Sequence, residues 1–497
     1  MPYHKGATAF LRWVTFDGFN LAQLISNGPE RGSSAAPTHG AQLGRKTIMK
    51  RIALAALLTT ATATSALAAG LDRSNQSILP VFDDPGTINF SIAHAMPDVT
   101  GSDALGNNYD VAEDYTTYTF SYTNRFSDSL SFSIIGDQPF GADILYNGNP
   151  ASSVLGGVKA DINTDALAFL LRYKINSNVS VFGGPRLQRA GGEIALNGQA
   201  YARGFAGAAG ARGLATALET GGAAGAAVLA GLASQGDVPT ILAGVALGDP
   251  AAAGATTIIN GAAGGIFATD VTAAVATATA VNGPSGDFVT DGGYSAILDQ
   301  DWGLGYSIGA AYEIPEIALR LAVSYNSTVE HDSDTVENSF SAISAAGVTT
   351  FETPQSVNVD FQTGINEKTL LLASYRWSNW GDFDVIPPDL GSDLANLDDG
   401  HRWTLGLARR FSEDLVGLAS LTYEKEGGAE TVSPLGPTDG IIGLSLGGRY
   451  TSGNMNVSGG VSYSALGNAN AGVGDVAVAS FRDNSAIGFG FKLQYNF

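Results

Sequence analysis

One five-residue stretch of the sequence matches a pattern that presents a catalytic serine in many hydrolases. Residues 443–447 read GLSLG, and Ser445 would be the nucleophile. That chemistry requires a sharp turn from a strand into a helix and a histidine beside the serine. Ser445 instead lies in a segment that alternates apolar with small residues, which predicts a strand that turns Ser445 away from its apolar face. A chance match in a chain with 64 glycines is therefore favoured, and a lipase or esterase stays as an alternative.

Residue types that could complete an active site or hold a metal are scarce. The chain has no cysteine, which excludes disulfides, thiolate nucleophiles and cysteine-ligated metals. After residue 68 the histidines are His94, His331 and His401, and their spacing matches no metal site. We therefore predict that the protein is not an enzyme and uses no cofactor or metal.

Basic residues are the more promising candidates for a binding site. If the alternating segments described below form a barrel, strand parity turns Arg186, Arg376 and Lys492 inward near the middle of the wall. The apolar side chains of Phe182 and Trp380 also fall on the inner face. Further basic residues on that face are Arg402 and Arg449, with Arg125, Arg172 and Arg320 nearer one end. Such cations beside an apolar lining predict a site for the carboxylate of an amphipathic ligand, and pairing with Asp or Glu across the lumen is the alternative.

The composition narrows the class of protein. The chain is 44% hydrophobic and 15% charged, with a mean hydropathy of +0.09, values that fit neither a disordered chain nor a helical membrane protein. The net charge is −21 at pH 7, and because residues 1–68 alone carry +5, the remainder carries −26. A chain this acidic is not expected to bind nucleic acid.

A targeting segment lies far from the first residue. Residues 49–68, MKRIALAALLTTATATSALA, combine a basic start, an apolar stretch and a small-residue site, as a secretory signal peptide does. We predict cleavage after Ala68. Residues 1–48 show no periodicity, and we interpret them as an extension from a misassigned start, with Met49 as the true start; a functional leader is the alternative.

From residue 87 onward the sequence repeats segments in which apolar residues alternate with small or polar ones. In the last segment Ile487 and Phe489 alternate with Gly488 and Gly490, and a terminal aromatic, Phe497, is typical of bacterial outer-membrane barrels. An apolar outer face with a polar inner face indicates a barrel in lipid, so we predict an all-β fold, a transmembrane antiparallel β-barrel of about 14 strands. The predicted strands span residues 87–100, 115–127, 130–146, 165–176, 179–196, 302–315, 317–333, 357–366, 369–385, 401–412, 415–427, 439–452, 455–468 and 484–497.

The predicted connections alternate between short turns and long loops, as they do in transmembrane barrels. An even strand number places both ends of the barrel (residues 87–497) in the periplasm. Residues 69–86 precede the first strand and are predicted to fold into the lumen as a short N-terminal hatch, with a frayed tail as the alternative. Residues 197–300 form a long Ala/Gly-rich extracellular loop, for which an apolar lid and a mobile insertion both stay open.

The order of several motifs resembles the FadL/TodX family of outer-membrane transporters of long-chain fatty acids and other hydrophobic compounds. The matching stretches are GLDRSNQSI (70–78), GDQPFGADILYN (136–147), VFGGPRLQ (181–188), QDWGLGYSIGAAYEIP (300–315), LLLASYRWSNWGDFDV (370–385), SPLGPTDG (433–440) and FKLQYNF (491–497). The resemblance implies a monomeric fourteen-stranded barrel with an N-terminal hatch. It would lie in the outer membrane of a Gram-negative cell, in contact with membrane lipid and lipopolysaccharide, after insertion by the barrel assembly machinery.

The resemblance also suggests a role for a break in the third predicted strand. There, Gly136, Asp137, Gln138, Pro139 and Gly141 interrupt the strand pattern, and proline cannot donate to a β-ladder. The family's third strand is kinked inward and leaves a hole in the wall. We therefore predict passive uptake of a long-chain fatty acid or other hydrophobic ligand, with lateral exit at this break. The alternatives are an ordinary bulge for the break, and a lipase or a structural, adhesive surface barrel for the protein.

Overall fold

The structure, a computed structural model, describes residues 71–339, 342–395, 397–427, 429–474 and 476–497. The predicted extension, the predicted signal peptide and the first two residues of the predicted hatch lie outside the described residues. The described strands form one large and one small sheet, and the described α-helices all lie between residues 198 and 290.

In chain order, the strands are β1 (Thr87–Asp98), β2 (Thr100–Asp103), β3 (Asn108–Asp110), β4 (Tyr115–Arg125), β5 (Leu130–Asp137), β6 (Gly141–Leu145), β7 (Lys159–Lys174), β8 (Val179–Leu196), β9 (Tyr294–Ile314), β10 (Leu319–Asn326), β11 (Val329–Ser339), β12 (Ala342–Thr353), β13 (Ser356–Asn366), β14 (Thr369–Ser378), β15 (Gly400–Arg410), β16 (Leu415–Glu424), β17 (Ile441–Ser452), β18 (Met455–Leu466), β19 (Ala469–Val473), β20 (Val476–Phe481) and β21 (Ser485–Asn496).

The large sheet closes on itself into a barrel. β1 pairs in antiparallel register with both β21 and β4, starting at Thr87↔Asn496 and Thr87↔Thr123. The sheet contains 17 strand segments. Three pairs of them continue one another (β5 with β6, β10 with β11, and β12 with β13), so the barrel has fourteen antiparallel strands. The predicted fold class is confirmed.

Several predicted strand limits are wrong at the end of the barrel where the connections are long. β7 begins at Lys159 and β9 at Tyr294, both earlier than predicted, whereas the predicted strand 369–385 ends as β14 at Ser378. The predicted strand 317–333 continues as β11 to Ser339 and pairs with β12, which was predicted as loop. β11 has the sequence VEHDSDTVENS and therefore no apolar face. β11 lies beyond the band of apolar side chains that faces lipid. Its sequence therefore has no hydrophobic periodicity, although the strand continues.

The faces of the wall are the reverse of those in a water-soluble barrel. Leu304 is 68% exposed and Ile442 is 65% exposed on the outside, whereas inward-facing Ser307 and Ser445 are buried. Aromatic side chains also stand next to each other on the outer face, as in the stack of Tyr375, Trp403 and Tyr423. This arrangement is the one expected of a wall in contact with lipid, with aromatic residues near the interfaces.

A helical insertion separates β8 from β9. Its helices are α1 (Gly198–Thr220), α2 (Gly222–Ala233), α3 (Val238–Ala246), α4 (Ala253–Gly261), α5 (Ala268–Val281) and α6 (Asp287–Thr290). The buried Leu214, Leu218 and Phe288 belong to one apolar cluster with Ile194 and Tyr294 at the adjoining ends of β8 and β9. The insertion was predicted as a loop of residues 197–300 that could form short helices weakened by glycine. Helices do form, because their buried faces pack together, and the loop ends earlier than predicted because β9 begins at Tyr294.

Close helix packing explains some of the glycines of the insertion. A Cβ atom on Gly210 of α1 would lie 2.4 Å from the Cβ of Ala246 in α3 and 2.8 Å from the carbonyl oxygen of Ala274 in α5.

No single described helix is both long and apolar enough to cross a bilayer. The pair Gly222–Ala233 and Val238–Ala246, bent by 103°, meets that length and composition only when the two helices are taken together.

The small sheet lies beside the insertion, at the same end of the barrel as the long connections. Its strand order is β19-β20-β2-β3, so it joins segments from opposite ends of the barrel sequence. Phe481 and Tyr109 are buried in it and pack with Tyr146, which follows β6. The connections at this end therefore form an ordered layer.

Candidate functional site

The N-terminal segment, residues 71–86, packs against inward-facing side chains of the barrel. Ile78, Val81 and Phe82 are buried in an apolar cluster with Leu170 of β7 and Phe182 of β8. Residues 79–82 form a short 3₁₀-helix that begins with proline at one of its first positions. The segment therefore occupies the space that the inner faces of the strands enclose.

Arg376 of β14 is one of the predicted ligand-binding residues, and it binds the N-terminal segment. Its Nε donates to Asp72 Oδ2 at 2.5 Å, and its other nitrogens donate to the Asn75 carbonyl at 3.0 Å and to Gln76 Oε1 at 3.2 Å. Both members of the ion pair are buried, with 6% and 2% of their side chains exposed. Loss of one partner of a buried pair leaves an uncompensated charge, so this contact holds the segment in place.

A second arginine binds the same part of the segment. Arg402 of β15 donates to Asn75 Oδ1 at 2.6 Å and to Glu424 of β16 at 2.7 Å. Pairing with an acidic residue, which the sequence left as an alternative, therefore occurs at both arginines, but with Asp72 of the N-terminal segment for Arg376 and with Glu424 of the neighbouring strand for Arg402 rather than across the lumen. Sequence alone did not indicate that the acceptors would lie on the N-terminal segment.

The predicted break in the third strand is present between β5 and β6. Both segments pair with β7, at Asp137↔Ala166 and Gly141↔Asn163, so Thr164 and Asp165 of β7 have no strand partner on that side. The N-terminal segment supplies part of the missing pairing. Arg73 N donates to the Pro139 carbonyl at 2.8 Å, and Gly141 N donates to the Leu71 carbonyl at 2.9 Å.

Side chains complete the closure of this break. The Thr164 hydroxyl accepts from Phe140 N at 2.8 Å and donates to the Phe140 carbonyl at 2.7 Å. Gln138 accepts from Tyr118 N of β4 at 3.1 Å and donates to Asp165 Oδ1 of β7 at 3.4 Å, so its amide spans the gap between the neighbouring strands. An unsatisfied backbone group in lipid would cost several kcal/mol, and these contacts avoid that cost.

Gly141, at the end of the break, lies where a larger residue would clash with its neighbours. A Cβ atom on Gly141 would lie 2.5 Å from Cζ of Arg73, whose guanidinium stacks 4.4 Å from the Tyr115 ring centroid and pairs with Asp143. Gly141 thus permits a charged side chain of the N-terminal segment to lie directly behind the break. Asp137 binds inside the wall, where Arg186 donates to it at 3.0 Å and Ser74 at 2.5 Å.

Phe82 packs against the barrel wall at the end of the N-terminal segment that leads into β1. The guanidinium of Arg172 lies 4.6 Å and that of Arg320 4.4 Å from the centroid of its ring, and Phe182 packs edge-on at 5.8 Å. Arg172 also pairs with Glu313, and Arg320 donates to Gln362 at 2.9 Å. Phe182, predicted to line the ligand site, therefore lies against the segment itself.

We expect Phe82→Leu to destabilise the packing of residues 79–86 against the barrel by about 1–2 kcal/mol. Leucine keeps most of the apolar contact but removes both cation–π contacts. Hydrogen exchange of the amides of residues 79–86 measures the effect. Phe126→Leu is the matched control, since Phe126 is 67% exposed. Equal protection in Phe82→Leu and the parent would show that the two arginines contribute nothing to this contact.

A cavity of about 150 Å³, lined by both polar and apolar groups, lies between the N-terminal segment and the barrel wall. It extends from Ile135 and Asp137, at the break, to Arg376, Arg402 and Lys492. Hydroxyl and amide side chains make up much of its lining, among them Ser445. Of the predicted binding residues Arg376 and Lys492 line this luminal cavity; Arg186 contacts it through Asp137, and Phe182 and Trp380 are not among its lining residues.

A second cavity, of about 60 Å³, has an almost entirely apolar lining. Leu71 of the N-terminal segment lines it together with Ile194, Leu298, Phe351 and Phe383. Trp380, a predicted binding residue, lies next to this apolar cavity, with its ring 5.3 Å from Phe383 and 5.1 Å from Phe140 in the break. Sequence analysis missed Phe351 and Phe383, because the lining comes from segments far apart in the chain and shares no motif.

Among the described residues, no histidine is hydrogen-bonded to Ser445 to complete a catalytic pair. The GLSLG stretch lies inside β17 rather than at a turn into a helix. Within the described residues, His94 bonds to Thr116, His331 to Gln188 and His401 to Tyr375, and none of the three bonds to Ser445. The described part of the chain also contains no group of three or more histidine, aspartate or glutamate side chains that could hold a metal ion.

A closed fourteen-stranded barrel that is apolar outside, polar inside and occupied by its own N-terminal segment defines a transmembrane β-barrel of the outer-membrane type. Residues 85–497 match the sequence signature described as outer membrane protein transport protein (OMPP1/FadL/TodX). The chain therefore belongs to this family of outer-membrane transporters of hydrophobic compounds, as its motifs predicted. In barrels of this type the short turns lie on the periplasmic side, so we refer to the short-turn end as the periplasmic end.

Solved structures with the same fold include relatives of low sequence identity. A FadL homologue from Pseudomonas aeruginosa superposes with a TM-score of 0.55 at 13% identity, covering 89% of this chain and 99% of its own. The toluene transporter TodX of Pseudomonas putida superposes with a TM-score of 0.51 at 14% identity, covering 88% of this chain and 96% of its own. No curated protein matches the sequence. The structural likenesses support the fold alone.

Proposed function

We propose that the protein takes up an amphipathic hydrophobic compound with an anionic head group, such as a long-chain fatty acid, and releases it sideways through the break between β5 and β6. The observation that carries this proposal is the luminal cavity, which connects the cations Arg376 and Lys492 with the wall at Ile135 and Asp137. A carboxylate bound by these cations would already lie beside the break.

The two cavities suit different parts of such a ligand. The apolar cavity lined by Leu298, Phe351 and Phe383 matches a hydrocarbon chain, whereas the luminal cavity offers charged and hydroxyl groups to a head group. Leu71 lines the apolar cavity and Arg73 lines the luminal one, so the N-terminal segment separates them. We infer that this segment acts as a hatch that must shift for the ligand to pass.

Sideways release is favoured over release through the periplasmic end by the position of the luminal cavity. The hatch is held at both ends, by Phe82 between Arg172 and Arg320 at one end and by the Asp72–Arg376 pair and the backbone hydrogen bonds of Arg73 and Gly141 at the other. The luminal cavity reaches the wall at Ile135 and Asp137 beside the second of these ends, so we propose that the contacts at the break part first. A hydrophobic ligand leaving there would pass directly into the acyl layer of the membrane.

The head-group assignment is tested at Lys492. Arg376 is less suitable for this purpose, because it donates hydrogen bonds directly to three residues of the hatch, Asp72, Asn75 and Gln76. We expect Lys492→Gln to weaken binding of a fluorescent long-chain fatty acid in detergent by about tenfold, the effect of losing one charge-assisted contact. Mass spectrometry of lipids extracted from the purified parent protein identifies the natural ligand class.

Lys174→Gln is the control for this measurement, since Lys174 is an exposed lysine at the periplasmic end of β7. It should bind the fatty acid as tightly as the parent. Unchanged affinity in Lys492→Gln, or extracts that contain only neutral hydrocarbons, would contradict the assignment of an anionic head group to the luminal cavity.

A further inference from the structure

Three side chains form a row across the outer surface of the wall beside the break. Asp165 of β7 pairs in register with Arg189 of β8, and Arg189 pairs with Trp302 of β9. We refer to Asp165, Arg189 and Trp302 as the lip row. It faces outward, because it shares strand parity with Leu187 and Leu304, which are 38% and 68% exposed.

The lip row marks the upper limit of the apolar belt. On β7 the outward side chains on the periplasmic side of Asp165 are apolar, beginning with Leu167 and Phe169, and those on the other side are Asn163 and Asp161. Tryptophan and arginine are residues that favour the boundary between acyl chains and head groups, because each combines an apolar body with a polar tip. The lip row therefore lies at the level of the head groups of the outer leaflet.

The contacts within the lip row orient the guanidinium. Arg189 Nη2 donates to Asp165 Oδ2 at 2.5 Å, and the guanidinium lies 5.6 Å from the Trp302 ring centroid. About a third of the Arg189 side chain, 32%, stays exposed. Arg189 thus presents donors toward the membrane boundary on a fixed planar group.

The lip row is also bonded to the residues that close the break. Asp165 lies on β7 directly opposite the gap, and its Oδ1 accepts from Gln138 Nε2 at 3.4 Å and from the Tyr118 hydroxyl at 3.2 Å. Any compound that passes between β4 and β7 after Gln138 moves would emerge next to Arg189.

We propose that Arg189, oriented by Asp165 and Trp302, is an exit-side binding site for the anionic head group of the transported compound. This inference rests on the proposed lateral exit. An amphiphile that leaves sideways places its hydrocarbon chain in the acyl layer and its head group at the interface, which is the level of the lip row. Arg189 receives the carboxylate there, so the ligand enters the leaflet with its head group toward the cell exterior.

The experiment compares cellular uptake of a C18 fatty acid with that of the C18 alcohol of the same chain. We expect Arg189→Gln to lower uptake of the acid about tenfold and to leave the alcohol unchanged, because only the acid carries the charge. Arg189→Lys keeps the charge but not the planar donors, and should lie between Arg189→Gln and the parent. Lys159→Gln is the control, since Lys159 pairs with Glu193 farther out on the same strands.

Three outcomes overturn the proposal. Unchanged uptake of the acid in Arg189→Gln shows that Arg189 receives no head group, and an equal loss of acid and alcohol shows a general effect on the wall. A loss of lipid phosphate from purified Arg189→Gln protein with unchanged acid uptake shows that Arg189 binds a membrane phospholipid or lipopolysaccharide instead. If lateral exit itself does not occur, a different experiment shows it. A disulfide that ties position 72 of the hatch to position 140 of the break would then leave uptake of both compounds intact.

Discussion

A disulfide between positions 72 and 140 should reduce uptake of both a fatty acid and the matched alcohol to background, and reduction of the disulfide should restore it. Asp72 and Phe140 face each other as an antiparallel bridge. The flanking hydrogen bonds, Arg73 N to Pro139 O and Gly141 N to Leu71 O, identify this as a non-hydrogen-bonded pair, whose Cα atoms are typically about 4.5 Å apart. That separation suits a disulfide.

The expected loss is complete because the covalent bond removes the movement rather than making it less favourable. The hatch closes the break through the backbone of residues 71–73, so a hatch tied to position 140 cannot leave it. The variant Asp72→Cys with Phe140→Cys forms a single possible disulfide, since the chain has no cysteine of its own. Uptake of radiolabelled substrate by cells, with and without reductant, is the measurement.

Comparison of oxidised and reduced forms of the same variant is essential, because Asp72→Cys also removes the partner of Arg376. Each single cysteine variant should respond to neither oxidant nor reductant. The heat-resistant folded band on a gel should persist in all forms, which shows that the barrel is intact. If the oxidised double variant takes up substrate as the reduced form does, the hatch and the break need not separate, and the ligand leaves by another route.

Arg376→Met should release the hatch and make the barrel leaky. The substitution leaves the Asp72 carboxylate buried, 2% exposed, without its cation, at a cost of about 3–5 kcal/mol to the closed state. It also removes donors to Asn75 and Gln76 in the same segment. We expect faster influx of a small hydrophilic solute into proteoliposomes and faster proteolysis of residues 71–86.

Two further variants define the cause of this leak. The double variant Asp72→Asn with Arg376→Gln replaces the ion pair by neutral amides that can still hydrogen-bond, and should recover much of the closed state. Arg203→Ala breaks the exposed pair with Asp249 in the helical insertion, whose side chains are 57% and 37% exposed, and should have little effect. A parent-like influx and proteolysis in Arg376→Met would show that the Asp72–Arg376 pair does not hold the hatch.

The break shows how far sequence reasoning can reach. Pro139 and Gly141 revealed that a ladder would be interrupted, because proline lacks the donor and glycine the strand preference that pairing requires. Nothing near them in the sequence indicated that residues 71–73 would supply the missing bonds, or that Gln138 would bond to Tyr118 and Asp165.

The binding residues illustrate the same limit. Parity correctly turned Arg376 and Lys492 inward, and both line the luminal cavity. The partner of Arg376 lies 304 residues away in the chain, and the apolar cavity brings Leu71 together with Phe351 and Phe383. Only the closure of the barrel around the hatch creates these contacts, so no local pattern encodes them.

The sequence by itself determined the barrel, its strand number and the position of its break, because lipid outside and polar groups inside impose a period of two on every strand that crosses the membrane. That constraint ends with the apolar belt, so the strands β11 and β12 and the helices between β8 and β9 could be located only in the structure. The tertiary structure alone decided which groups close the break and where the cavities lie, because those contacts join the hatch, opposite strands and the outer connections, which are close only in the folded chain.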